Sequence, residues 1–232
     1  MSFSNRMSAA LYPPVGAVPN TVRDYAGNNN GTNNGAKVAL VDGRSGLEFD
    51  ASQQTFVQAE SAISGYPFTL EAQCIITDDG EDRAIIQLDF SGDTQTYIGI
   101  QNRSSGQMQM WARSGSSSFN VRNAPSINPD PGQWIRVSAV FSSPSDRALY
   151  VNGELFADDD REFVFDTRID TALIGLLRLS SPTWYWDGEI SDARIWNIAR
   201  TQSEIQADMH KRLTGNEPGL VGYWPMAYNA HR

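Results

Sequence analysis

Trp134-Ile135-Arg136-Val137-Ser138-Ala139-Val140-Phe141, followed shortly by Arg147-Ala148-Leu149-Tyr150-Val151-Asn152-Gly153-Glu154-Leu155-Phe156, is the stretch that decides the fold class. In the first segment Ile135, Val137, Ala139 and Phe141 alternate with other residues. That period of two marks a strand with one buried face. In the second segment Asn152-Gly153 sits between two apolar runs, the pattern of a tight hairpin.

The same period extends outward in both directions. Towards the N-terminus, Phe68, Leu70, Ala72, Cys74 and Ile76 form the inner series of another strand. Strands are expected over 84–90, 96–101 and 107–112, the last with Met108, Met110 and Ala112 alternating with Gln107, Gln109 and Trp111. Towards the C-terminus, 173–179 reads as a central strand covered on both faces, 189–196 as a last long strand and 219–224 as a short one. One helix is expected, over 201–213. Thr201-Gln202-Ser203-Glu204 is a capping box, Ile205, Met209 and Leu213 repeat every four residues, and Gly215 closes the segment. The expected fold is therefore all-β, a two-sheet antiparallel sandwich of jelly-roll type with one short C-terminal helix. Residues 1–20 read as an N-terminal arm and 21–232 as the folded domain.

Composition agrees. The 232 residues include 19 Gly and 11 Pro, and residues 27–35 run Gly-Asn-Asn-Asn-Gly-Thr-Asn-Asn-Gly, a turn-rich tract. Hydrophobic residues make up 40%, enough for a core without disulfide or metal staples. The formal net charge of −9 argues against nucleic acid and against an anionic membrane surface as partners. Cys74, the one cysteine, lies in an apolar run and reads as a small buried hydrophobe. No apolar run reaches the roughly 20 residues of a membrane span. The first ten residues lack the apolar centre of a signal peptide, so synthesis and retention in a cytoplasm, or exit by a non-secretory route, is expected.

Longer motifs add a resemblance. Pro131-Gly132-Gln133-Trp134-Ile135-Arg136-Val137 with the Leu149 to Leu155 hairpin, the run Trp186-Asp187-Gly188-Glu189-Ile190-Ser191-Asp192-Ala193-Arg194-Ile195-Trp196, and Glu217-Pro218-Gly219-Leu220-Val221-Gly222-Tyr223-Trp224-Pro225 together resemble the laminin-G-like, concanavalin-A-like jelly-roll superfamily. So do residues 22–28 and 43–49. The likeness spans roughly 10–226 and implies the fold. It implies no single function, because this fold carries sugar binding, adhesion, glycan hydrolysis and structural roles.

The sequence offers three kinds of candidate site. Thr183-Trp184-Tyr185-Trp186 gathers aromatic rings that could stack on sugars, so Trp184, Tyr185 and Trp186 are the candidate carbohydrate-binding residues. Alternation places Trp184 and Trp186 on one side and Tyr185 on the other. Calcium is the one cofactor the sequence suggests, and two oxygen-rich loops could hold it: Asp24, Asn28 and Asn30 in one, Asp78, Asp79 and Asp82 in the other. Their plainer reading is turn chemistry and a solvated acidic loop. A glycoside hydrolase needs two carboxyl groups across a cleft. The nearest approach, Glu189 and Asp192, falls on opposite faces of a regular strand, so no catalytic residues are assigned. Leu11, Tyr12, Pro13 and Pro14 in the extended leader are candidate contacts to a partner subunit.

The resulting expectation is a non-catalytic binding protein. The first choice is a virion surface component of a phage, a capsid decoration or a tail- or fibre-associated protein, with other subunits or a second copy of the chain as partners. The alternatives are an extracellular carbohydrate-binding or adhesion module, with glycan as partner, and a glycan hydrolase.

Overall fold

The computed structural model describes residues 13–76, 80–122, 132–164, 168–179 and 183–228. In chain order the elements begin with β1 (Thr21–Val22), β2 (Gly31–Asn34), β3 (Lys37–Val41), β4 (Arg44–Phe49), β5 (Phe56–Glu60) and β6 (Phe68–Ile75). Next come β7 (Arg83–Asp89), β8 (Thr96–Asn102), β9 (Met108–Ser114), β10 (Ser117–Arg122), β11 (Trp134–Ser143), β12 (Asp146–Val151) and β13 (Glu154–Asp159). The chain finishes with β14 (Thr171–Ile174), β15 (Leu176–Leu177), β16 (Trp184–Tyr185), β17 (Gly188–Trp196), α1 (Gln202–Asp208) and β18 (Leu220–Trp224).

These strands make two large antiparallel sheets. One runs β1-β2-β5-β14-β7-β8-β9-β10 and will be called the front sheet. The back sheet runs β13-β12-β11-β6-β17-β4-β3, with β18 on the remaining length of β17. Strands distant in sequence become neighbours, β14 between β5 and β7 and β17 between β6 and β4, as a jelly roll requires. The alternating residues meet between the sheets. Ile135, Val137, Ala139 and Phe141 of β11 and Leu70, Ala72 and Cys74 of β6 face Ile86, Leu88, Ile98, Ile100 and Met110 of the front sheet in one core cluster. Burial raises the Cys74 thiol far above its ordinary value, so it is an inert apolar filler.

Three expectations change. The helix stops at Asp208, short of residue 213. The carbonyls that would close its last turn are bonded elsewhere: Arg194 Nη1 donates to the Asp208 carbonyl, Gln73 Nε2 and Arg136 Nη2 to that of Met209, and Arg194 Nη2 to that of Lys211. The capping box at Thr201 and Glu204 forms as the sequence predicts. The apolar run from Leu173 is two strands, not one, because Gly175 turns the chain at φ +78°. Phe49 packs there, and a Cβ would lie 2.5 Å from its ring. Last, the described end of the expected arm lies on its own sandwich. The Gly16 amide donates to the Val38 carbonyl and the Val38 amide to that of Ala17. Pro14 is exposed and Pro13 partly so, while Leu11 and Tyr12 fall outside the described residues.

The back of β6, β11 and β17 carries charge instead of apolar side chains. Glu71, 1% exposed, has Arg136, Arg194 and Arg200 at 3.9, 3.4 and 3.3 Å. Asp192 bonds both Arg136 and Arg194, and Arg200 also pairs with Asp208 at 2.6 Å. This network fastens α1 and the loop after it to the back sheet.

Candidate binding face

The front sheet has a second face, turned away from the core. Because Ile86 and Leu88, Ile98 and Ile100, Met110 and Ala112 point inward, their neighbours Gln87 and Asp89, Gly99 and Gln101, Gln109 and Trp111 must point outward. Strand register aligns them in rows across the sheet. One row reads Thr32, Gln58, Leu173, Gln87, Gly99, Trp111, Asn120; a second reads Glu60, Thr171, Asp89, Tyr97, Arg113, Ser118.

This outer face is polar and yet buried. Gln87 is 1% exposed, Asp89 2%, Gln101 0% and Gln109 2%. Their polar atoms are left over: Gln87 Oε1, both Asp89 oxygens, Gln101 Oε1 and Nε2, and Gln109 Oε1 have no hydrogen-bond partner among the described residues. Asp89 does have an ion pair, Arg178 at 3.5 Å. Burial nevertheless raises its carboxyl to about 6; Arg178 opposes the rise, and Asp170 and Asp93 add to it. Burial likewise raises the Tyr97 hydroxyl to about 12, against the neighbouring Arg113 guanidinium. Gly99 belongs to this floor. A Cβ there would stand 2.4 Å from the Ile86 carbonyl oxygen and 2.8 Å from Gln87 Cγ, so this close approach to β7 is one that glycine alone admits without a shift.

Aromatic rings stand at one side of the floor. The chain after β14 turns at Gly175 and crosses the face through β15 and β16, setting Leu177 and Trp184 against Tyr97, Ala84 and Trp111. The Trp111 and Trp184 rings lie 5.0 Å apart at 35°, and Tyr97 meets Trp111 edge-on at 5.3 Å. Both indoles are half-buried. Tyr185 is half-buried too and leans on Phe56. Trp186 departs from the expectation. It is 1% exposed and belongs to the main core, so its ring offers no stacking surface. The strand ends at Tyr185, which breaks the alternation that would have kept Trp184 and Trp186 together.

The oxygen-rich first turn is bound up with itself. Asp24 Oδ1 accepts from the amides of Ala26 and Tyr223, and Oδ2 from that of Asn29; Asn30 Oδ1 accepts from the Asp24 amide. Three N–H donors thus converge on a carboxylate that a cation would need free, and Asp24 serves to tie the first turn to β18. Asn28 is exposed and makes no such bond. In the second loop Asp82 pairs with Arg103 at 2.9 Å and accepts from the Ser104 amide; Asp78 and Asp79 lie outside the described residues. Among the described residues no three His, Cys, Asp or Glu side chains cluster as a metal site.

Glu189 and Asp192 are not on opposite faces as a regular strand would put them. A bulge between Ser191 and Arg194, with Asp192 at φ +52°, inserts a residue and turns both outward on the back sheet. Their environments differ. Burial opposes ionisation of Asp192, but Arg136 and Arg194 outweigh it and hold the carboxyl below its ordinary value. Glu189 is raised by burial and by Glu48 directly across on β4.

The sequence reading missed Gln87, Asp89, Gln101, Gln109 and Trp111. Their signal was present: polar residues at the outward positions of three consecutive strands whose inward positions are uniformly apolar.

A family model, the concanavalin A-like lectin/glucanases superfamily, matches residues 24–206. The chain belongs to this superfamily. Similar solved structures include a candidate carbohydrate-binding protein from Bacteroides ovatus, 20% identical, TM-score 0.56, covering 77% of this chain; the present chain spans only half of that protein's length. Domain 4 of AbnA, a GH43 extracellular arabinanase from Geobacillus stearothermophilus, solved with arabinotriose, is 17% identical over 81% of this chain and 97% of its own, TM-score 0.62. The enzymatically active domain of tailspike protein 2 from bacteriophage CBA120 is 10% identical over 91% of this chain and 33% of its own, TM-score 0.60. At these identities the likeness is one of fold. A search of curated proteins gave no match.

Proposed function

We propose that this chain is a glycan-binding module without hydrolytic activity, and that it binds through the outer face of the front sheet. The observation that carries the proposal is the group of buried polar atoms on Gln87, Asp89, Gln101 and Gln109, spread over three neighbouring strands, that lack a hydrogen-bond partner among the described residues. Each buried polar group left unpaired costs about 1–3 kcal/mol. A polyhydroxyl ligand supplies both donors and acceptors, and the half-buried Trp111 and Trp184 rings beside the floor suit the apolar face of a sugar ring. The fold it shares with carbohydrate-binding proteins supports the same reading. Against hydrolysis, the Asp192 side chain is 14% exposed and its carboxylate is tied up in ion pairs with Arg136 and Arg194, so it is not presented to a sugar beside Glu189 as the second carboxyl of an acid–nucleophile pair.

A broad glycan array tests this. Purified protein is expected to bind at least one glycan class and to release no reducing sugar from it. Binding to none, or steady release of product, would overturn the proposal.

A second reading concerns location. The tailspike domain shares the fold over nearly the whole chain, which supports a particle-surface protein that uses the same face to hold host glycans. Co-sedimentation with assembled particles tests it, and protein that stays in the supernatant would refute it.

A further inference from the structure

The outer side of the back sheet carries a separate cavity of about 170 Å³, on the face of the sandwich opposite the floor described above. β4 lends it Arg44, β6 Gln73 and β17 Asp192, and the loop after α1 closes it with His210, Lys211 and Arg212. Asp192 is the single carboxylate among the described residues that line it. It does not offset the cations, because it already bonds Arg136 and Arg194. In the network beneath, Glu71, Asp192 and Asp208 stand against Arg136, Arg194 and Arg200, three charges of each sign. Arg44, Lys211 and Arg212 are therefore surplus, on a chain whose formal net charge is −9.

Two of these cations are held in place without being neutralised. Arg44 Nη1 donates to the Gln73 amide oxygen, its guanidinium lies 5.6 Å from the centre of the Trp134 ring, and Gln73 Nε2 donates onward to the Met209 carbonyl. The Arg212 guanidinium lies 5.9 Å from the centre of the Tyr25 ring. Neither arginine has a carboxylate partner among the described residues. Lys211 reaches Asp208 at 3.4 Å with its side chain 65% exposed. A guanidinium has five N–H donors in a rigid fork, so Arg44 and Arg212 have donors to spare for a ligand.

We propose that this cavity binds a tetrahedral oxyanion, either free phosphate or the phosphate end of a small monoester. The site is independent of the glycan-binding reading. Size and charge carry it. At about 30 Å³ for each water of the liquid, the cavity has room for about five waters, and so for an anion of five heavy atoms. Phosphate carries about −1.5 to −2 near neutral pH, which suits three surplus cations better than the single charge of a carboxylate. Arginine forks take two phosphate oxygens at once, and lysine adds a point charge.

Isothermal titration with inorganic phosphate, glycerol phosphate and acetate tests the site, at a fixed ionic strength of about 0.1 M so that screening stays constant. Saturable binding of inorganic phosphate is expected, with a Kd of about 1 mM or tighter, and acetate should bind about tenfold more weakly or worse. Arg212→Gln changes an exposed side chain. It should weaken phosphate about tenfold or more and leave the melting temperature in phosphate-free buffer unchanged. Arg44→Gln should weaken binding similarly. Arg161→Gln, which removes an exposed arginine just past β13 at the far edge of the back sheet, controls for net charge and should bind as wild type. Glycerol phosphate that binds alongside phosphate would support a monoester as occupant, and glycerol phosphate that fails to bind would support the free ion. No saturable binding of either phosphate species at about 10 mM, acetate bound as tightly as phosphate, wild-type affinity in both Arg212→Gln and Arg44→Gln, or an equal loss in Arg161→Gln would each overturn the proposal.

Discussion

Replacing Glu71 by Gln should unfold this protein more readily than any surface change. Glu71 is the shared counter-charge of three buried guanidiniums, at 3.9, 3.4 and 3.3 Å. Its side chain is 1% exposed and those of Arg136, Arg194 and Arg200 are 1, 0 and 4% exposed, so water cannot take over. The substitution keeps the shape and removes the charge. Asp192 and Asp208 remain, which leaves three cations with two anions in the cluster. Breaking a buried ion pair by neutralising one partner costs about 3–5 kcal/mol, a large share of the 5–15 kcal/mol by which domains are stable. For a chain of this size each kcal/mol is worth about 2–4 °C, so the melting temperature should fall by about 6–20 °C. Because the network fastens the loop after α1, helical signal should be lost at or before the main transition. Differential scanning calorimetry with far-ultraviolet circular dichroism reads both. A fall of less than about 3 °C, the effect of a typical exposed pair worth under 1 kcal/mol, would refute the claim that Glu71 holds these arginines together.

Gly99→Ala should damage the binding floor, since the new methyl would lie 2.4 Å from the Ile86 carbonyl oxygen; a loss of about 1–3 kcal/mol by chemical denaturation is expected, and wild-type stability would contradict the packing. Asp192 has a folded-state pKa below its ordinary value, so its contribution is present above about pH 4 and is lost as pH falls through the folded value. Asp192→Asn should therefore flatten the acid limb of the stability profile; an unchanged limb would contradict the pairing. Asp24→Ala strands the amides of Ala26, Asn29 and Tyr223 and should loosen the first turn from β18, seen as faster hydrogen exchange at those amides with or without added calcium. Protection restored by calcium alone in the wild type would argue for a metal role instead.

The sandwich was legible because its strands obey a period of two almost without exception: Ile135, Val137, Ala139 and Phe141 face inward as the pattern requires. Failures occurred where tertiary contacts override local preference. The repeat of Ile205, Met209 and Leu213 continues to residue 213, but arginines from the back sheet take the carbonyls that a longer helix would need. Alternation placed Glu189 and Asp192 on opposite faces, and one bulge reversed that. The binding face was the least legible feature. A strand shows which residues alternate, but which face turns from the core and which strands stand side by side depends on β14 inserting between β5 and β7, a pairing of residues over 80 positions apart. Trp184-Tyr185-Trp186 stood out as a cluster, and only the fold shows that Trp186 belongs to the core and that Trp111, from a distant strand, takes the place beside Trp184.

The central claim is that the buried polar atoms of Gln87, Asp89, Gln101 and Gln109 lack hydrogen-bond partners within the protein because a ligand supplies them. The most direct measurement is Gln101→Met, read for stability and glycan binding together. Gln101 is 0% exposed and both polar atoms of its amide lack partners. Removing a buried unpaired amide while keeping its volume should leave the melting temperature unchanged or raise it. If the amide serves a ligand, binding to the strongest glycan on the array should fall by about tenfold or more. A melting temperature that drops would show that the amide is satisfied within the protein, and full binding in a stable variant would show that the ligand sits elsewhere; either result contradicts the account.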